Sequence, residues 1–148
     1  DSIRKTAGAL EGVAAKKDIH FNLELSDTEP LRVSGDKDKI QQVLHNLMDN
    51  AVKFSHEGSS ILISTREKGN RVFVSVKDSG IGIPKDDLGK IFERFYKTDL
   101  SRGKDKLGTG LGLSICKEII TAHKQNLDVV STEGVGSEFV FTLTKETE

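Results

Sequence analysis

The stretch from Ser60 to Asp78 limits the fold more than any other part of the chain. "SILIST" and "RVFVSV" alternate apolar and polar residues on either side of "EKGN", the pattern of two strands joined by a glycine-containing turn, each with one buried face. On the second strand Val72, Val74, Val76 and Asp78 fall on the same side, because successive side chains point to opposite faces. A carboxylate therefore ends a row that otherwise faces the core, and such a group is costly to bury without a partner.

The remaining pattern supplies the layer that covers this hairpin. Ile3, Ala7, Leu10 and Ala14 recur at helical spacing and predict an opening helix. "IHFNLEL" alternates and, with "LRV" after Pro30, predicts two short strands. From Asp36 to about Phe54 the residues Ile40, Val43, Leu44, Leu47, Ala51 and Phe54 return to helical spacing, and Leu88, Ile91, Phe92 and Phe95 predict a short helix in "KDDLGKIFERF". From Lys97 to Thr109 the charged, glycine-containing sequence predicts a mobile loop. A second long helix is expected from about Gly110 to Lys124, and "LDVVST" and "EFVFTLT" around "EGVGS" predict a closing hairpin. No repeat, low-complexity tract or linker divides the 148 residues, so a single domain over residues 1–148 is expected. The expected architecture is α+β: a two-layer sandwich with a mixed, mostly antiparallel sheet of about five strands and about three helices over one face.

Charge and composition exclude several classes. Lys and Arg number 22 against 23 Asp and Glu, for a net charge of -1, so no global field recruits nucleic acid or an anionic membrane, and any bound anion must be held by local groups. The lone cysteine, Cys116, lies in "GLSICKEII", where a small buried hydrophobe fits. No uncharged apolar run approaches the ~20 residues of a membrane span. The start "DSIRKTAGAL" lacks a signal-peptide core and reads as a piece of something longer.

Three constellations carry chemistry. On the helix "IQQVLHNLMDNAVKFS", Gln42, Asn46, Asn50 and Lys53 share an arc beside the apolar set. They are either a polar flank or, since an amide oxygen is a hard neutral donor, ligands for Mg²⁺ with a lysine for phosphate. Asp78 either caps the turn "SGIG" through backbone N–H groups or accepts a hydrogen bond from a ligand amino group such as that of adenine. In the second case Gly80 and Gly82 would let the ligand approach the backbone. "GTGLGLSI" presents Gly108, Gly110 and Gly112 at the start of a helix, where free N–H groups and the helix dipole suit a phosphate. Between them the basic loop holds Lys97, Arg102, Lys104 and Lys106. Each piece would meet a different part of Mg-ATP.

"NLMDNAVKF", "DSGIGI", "IFERFYK" and "GTGLGL", in this order and at this spacing, resemble the four sequence boxes of the catalytic ATP-binding domain of sensor histidine kinases. These kinases belong to the GHKL superfamily, with the Bergerat ATP-binding fold, that also holds gyrase, Hsp90 and MutL. The resemblance runs from about Asp36 to "GVGSEFVFTL". It implies an ATP site with Asn50 and Asn46 at Mg²⁺, Asn46 near the γ-phosphate, Lys53 on the phosphates and Asp78 on the adenine amino group. Gly80, Gly82, Gly108, Gly110 and Gly112 would line it, and Arg94 or Arg102 would steady the γ-phosphate. Phe54, Ile83, Tyr96 and Lys97 are implied as further nucleotide contacts, as are Thr109, Leu111, Leu113 and Ser137. Phe54 stands where the family often has tyrosine, and "TLTKE" replaces the usual terminal Leu-Pro.

In the ATP-hydrolysing relatives a glutamate occupies the position of Asn46 and acts as base for the attacking water; an amide cannot. The resemblance therefore implies slow hydrolysis and transfer to a histidine imidazole, which can be neutral near pH 7. No histidine followed closely by an acidic residue on a dimerising helix is found. His20, His45, His56 and His123 read as surface histidines, and the acceptor is expected on a dimerisation domain absent from this chain. The implied protein is a histidine kinase feeding a response regulator. This part would be a cytoplasmic monomer without nucleic-acid or direct membrane contact, in a parent that is membrane-anchored. Competing readings are an anti-sigma-factor serine kinase of the same superfamily, a regulatory module that has lost nucleotide binding, and an ATPase.

Overall fold

The computed structural model describes residues 2–24, 33–34, 36–92 and 112–145. Helix α1 spans Ser2–Lys16 and buries Thr6, Leu10 and Ala14. It ends where Asp18 adopts φ 56°, with Ile19 N–H donating back to Ala14 O at 2.9 Å and Asp18 N–H to Ala15 O at 3.0 Å. That left-handed termination turns the chain and buries Ile19. Strands β1 (His20–Glu24) and β2 (Val33–Ser34) follow.

Helix α2, Lys37–Phe54, is closed at both ends. Asp36 caps it, its Oδ1 accepting from the N–H groups of Asp38 (3.0 Å) and Lys39 (3.2 Å). At the other end every one of its last four carbonyls, which lack helical partners, is met. Ser55 Oγ donates to Ala51 O at 2.6 Å, and Lys17 Nζ donates to Val52 O and Lys53 O at 2.9 and 3.1 Å. Ile81 N–H donates to Phe54 O at 3.1 Å. The last of these ties the helix to the segment after the predicted hairpin.

That hairpin is β3 (Ser60–Lys68) and β4 (Arg71–Asp78). After it come helix α3 (Gly112–Ala122), β5 (Leu127–Thr132) and β6 (Gly136–Lys145). The sheet order is β1-β3-β4-β6, and the far side of β6 is shared by β5 and the two-residue β2. Only β1 and β3 run parallel; the other pairings are antiparallel. The sheet is thus mixed and mostly antiparallel, as expected, with β2 a fragment beside five full strands. The inward row Val72, Val74 and Val76 meets Val43, Leu47 and Met48 of α2 and Ile120 of α3 in one contiguous core, completed by Ile61, Ile63, Phe139 and Phe141. The three α-helices among the described residues, α1, α2 and α3, contribute to this core.

One element differs from expectation. Residues 85–92 form a single 3-10 turn, Lys85–Asp87, and further turns in place of the α-helix predicted there; Phe95 lies outside the described residues. The helical spacing of Leu88, Ile91 and Phe92 is satisfied by tertiary anchoring: Ile91 is buried, Phe92 meets the edge of Phe139 at 6.3 Å and Lys117 Nζ lies over its ring at 5.3 Å. Pro84 before the turn and Gly89 within it weaken any local preference for a longer helix.

Candidate functional site

Asp78 ends β4 at the bottom of its apolar row and is only 6% exposed. Both alternatives open at the sequence level meet in this carboxylate. Its Oδ1 does the turn-holding work, accepting from Gly80 N–H at 2.9 Å and from Ser137 N–H on β6 at 3.3 Å. Its Oδ2 has no hydrogen-bond partner among the described residues. Burial pushes the carboxyl above its usual range, against the two backbone N–H groups and the His56 imidazole, which pull it down. One oxygen of this buried carboxyl is thus left able to accept a further hydrogen bond.

The glycines around it have a role that the sequence did not reveal. A Cβ on Gly80 would stand 2.0 Å from Phe54 O, at the closed end of α2. Gly82 has φ 71° and a Cβ there would meet Thr132 O at 2.2 Å, while Gly136, φ 150°, comes equally near Asp78 O at 2.2 Å. The backbone of the loop after Asp78 is therefore wedged between α2 and the β5–β6 turn, where Gly134 N–H also donates to Ile81 O at 2.7 Å. These glycines admit the protein's own backbone, which is what brings α2, Asp78 and Ser137 to one place. Gly136 was missed as a site residue; its place in the turn "EGVGS" was the available signal.

On α2 the polar arc emerges as the wheel predicts. Gln42 and His45 are exposed, and Asn46, Asn50, Lys53 and Phe54 are half-buried. Lys53 is paired with Asp49 one turn back at 3.2 Å, an aspartate that sequence reading passed over. Behind Asn46 lies Cys116 of α3, wholly buried, its thiol 3.8 Å from Val43 O. Burial pushes that thiol up to about 12, while a hydrogen bond from the Asn46 side chain opposes the shift. A thiol held this high stays protonated near neutral pH, so Cys116 serves as a small buried hydrophobe.

No group of three or more His, Cys, Asp or Glu among the described residues could hold a metal ion. The donors present are the amides of Asn46 and Asn50, neutral and a helical turn apart. They cannot cage a divalent cation, but they suit Mg²⁺, which keeps its waters and is held mostly through substrate phosphates.

Of the other predicted positions, Ile83 is half-buried with its N–H on Ser131 Oγ, Ser137 is buried, Leu113 packs against the core, and Gly112 is the first residue of α3. Arg94, Tyr96, Lys97, Arg102, Lys104, Lys106, Gly108, Thr109, Gly110 and Leu111 lie outside the described residues. His20, His45 and His56 are exposed, as expected for surface histidines. His123 is half-buried and both ring nitrogens are engaged: Nδ1–H donates to Ile119 O at 2.8 Å and Nε2 accepts from Asp36 N–H at 3.0 Å.

Comparison with known proteins agrees with this arrangement. Residues 35–147 match the model of the histidine kinase-, DNA gyrase B- and HSP90-like ATPases. The sensor histidine kinase WalK of Bacillus subtilis (strain 168) is 45% identical over 127 residues, covering 84% of this chain and 21% of WalK. The chain thus spans about a fifth of the length of the curated relatives it matches. The nucleotide-free catalytic domain of histidine kinase ThkA superposes with a TM-score of 0.83 at 37% identity, over 97% of this chain and 90% of that one. ThkA in complex with the response regulator TrrA matches at 0.80 and 34%, over 98% and 40% of the two chains. Full-length ShkA bound to AMPPNP matches at 0.84 and 30%, over 99% and 30%.

Proposed function

The chain belongs to the histidine kinase-, DNA gyrase B- and HSP90-like ATPase family, and from that membership we propose that it binds Mg-ATP and transfers the γ-phosphoryl group to a histidine on a separate dimerisation domain in a two-component system. The observation that carries the reading is the division of labour in Asp78. Oδ1 is fixed by two backbone N–H groups, and Oδ2 is left to accept from the amino group of adenine. Asn46 and Asn50 would hold Mg²⁺, which neutralises phosphate charge when bound, and Lys53 would turn from Asp49 toward the phosphates. Steadying of the γ-phosphate is assigned to Arg94 or Arg102, and the phosphate turns to Gly108, Gly110 and Gly112.

Asn46 decides what becomes of bound ATP. An amide does not take a proton from water, so ATP is retained until an imidazole nitrogen attacks the γ-phosphorus and ADP leaves with the bridging oxygen. A fully engaged His123 supports placing that imidazole on another domain. The pairing of ThkA with a response regulator supports the same downstream partner here. No helix among the described residues is long and apolar enough to cross a membrane; the proposal places this part in the cytoplasm of an anchored parent.

Calorimetric titration of ADP and a non-hydrolysable ATP analogue, with Mg²⁺, into this chain and into Asp78→Asn tests the reading. Binding that is lost in the variant supports it. Absence of binding by the intact chain sinks it and favours a regulatory module of the same fold.

A further inference from the structure

A carboxylate discriminates between ligands only if it is held to within about half an ångström. The two N–H groups on Asp78 Oδ1 belong to the loop at Gly80 and to strand β6 at Ser137, and only the strand is fixed by ladders on both sides. One side chain ties the loop to that strand. Ser131 of β5 sits opposite Ser137 in the ladder. Its Oγ accepts from Ile83 N–H at 2.8 Å, lies 2.7 Å from Ser137 Oγ and donates to Gly136 O at 3.0 Å. The loop's other tethers, Ile81 N–H to Phe54 O and Gly134 N–H to Ile81 O, are backbone to backbone. Among the described residues, Ser131 is the only side chain besides Asp78 itself that bonds the backbone of residues 79–84.

We propose that Ser131 is a positioning residue for base selection, an inference that rests on the Mg-ATP reading above. Acting through Ile83 and Ser137, it holds Oδ2 of Asp78 where it accepts from the 6-amino group of adenine. A purine with a 6-oxo group brings an acceptor to the same place, leaving two buried acceptors without a proton between them. Removing the hydroxyl leaves the Ile83 N–H without its partner and lets the carboxylate drift, so the loss falls on the adenine contact.

The test is calorimetric titration of ADP and of inosine diphosphate, each with Mg²⁺, into the intact 148-residue chain, Ser131→Ala and Ser131→Thr. The intact chain is expected to prefer ADP by at least about tenfold. Ser131→Ala weakens ADP binding about tenfold and leaves inosine diphosphate within about twofold, and Ser131→Thr, which keeps the acceptor oxygen, restores selectivity. Equal losses for both nucleotides, or unchanged selectivity in Ser131→Ala, overturn the role of Ser131 while the ATP reading stands. No ADP binding by the intact chain defeats the ATP reading itself. Should Ser131→Ala melt below the titration temperature, Ser131→Cys, similar in shape but a weak acceptor, carries the same expectation and the same refutation.

Discussion

At the scale of single residues, Asp78 sets function against stability. Its carboxyl keeps its proton to higher pH in the folded chain than in the unfolded one. Between those two values the folded state binds more protons, so this group's contribution to stability falls as pH rises through that window and stays low above it. Asn carries no charge to desolvate and keeps an oxygen for the Gly80 and Ser137 N–H groups. Asp78→Asn is therefore expected to melt no lower than the intact chain at neutral pH, with its advantage shrinking as the solution is made acid enough to protonate the wild-type carboxyl. Thermal melts of both proteins across that range check this, and a lower melting temperature for the variant at neutral pH contradicts it. The position of Asp78 was legible because strand alternation is local. The split between its two oxygens was not, because Ser137 lies 59 residues further along the chain.

At the scale of elements, the glycines and helix ends make opposite predictions. Gly80→Ala forces a methyl group against Phe54 O, a backbone atom that cannot swing aside. A loss of about 2–3 kcal/mol is expected in urea denaturation, together with loss of nucleotide binding; wild-type stability in that variant would show that α2 yields there at no cost. Lys124 is a different case. It holds φ 59° at the end of α3, with Lys124 N–H on Thr121 O at 2.9 Å and Gln125 N–H on Ile120 O at 3.0 Å. This is a termination that glycine fits without steric cost, and Lys124→Gly should raise stability by about 0.5–1 kcal/mol, read as a higher urea midpoint with an unchanged slope. Helix α2 and both hairpins could be read from the sequence because their periodicity lies within a few turns. The parallel pairing of β1 with β3 could not, since strand order depends on how α2 crosses over the sheet. The segment 85–92 misled because apolar residues at helical spacing were spent on contacts with Phe139 and Lys117 rather than on a helical face.

At the scale of the whole molecule, the chain is one part of a phosphotransfer pathway under the proposed reading. Incubated with ATP labelled at the γ-phosphate, it is expected to take up no label of its own and to label a histidine on an added dimerisation domain of its parent. Label retained on His20, His45, His56 or His123 would overturn the separation of kinase from acceptor. The family was legible in four short boxes; the way in which two of them, "NLMDNAVKF" and "DSGIGI", come together was hidden in backbone contacts between α2, the loop after β4 and the β5–β6 turn.

Strand β6 lies in the middle of the sheet, bonded to β4, β5 and β2, yet it is the last in chain order of the described strands. A ribosome delivers Asp78 59 residues ahead of the Ser137 N–H that secures it, an interval of roughly 3–12 s at ordinary elongation rates. Through that time the Asp78 carboxylate has the Gly80 N–H, but neither the Ser137 N–H nor the β5–β6 turn that seats its loop. Under the proposed reading nucleotide capture then depends on β6, and a chain cut short before that strand is expected to bind no ATP.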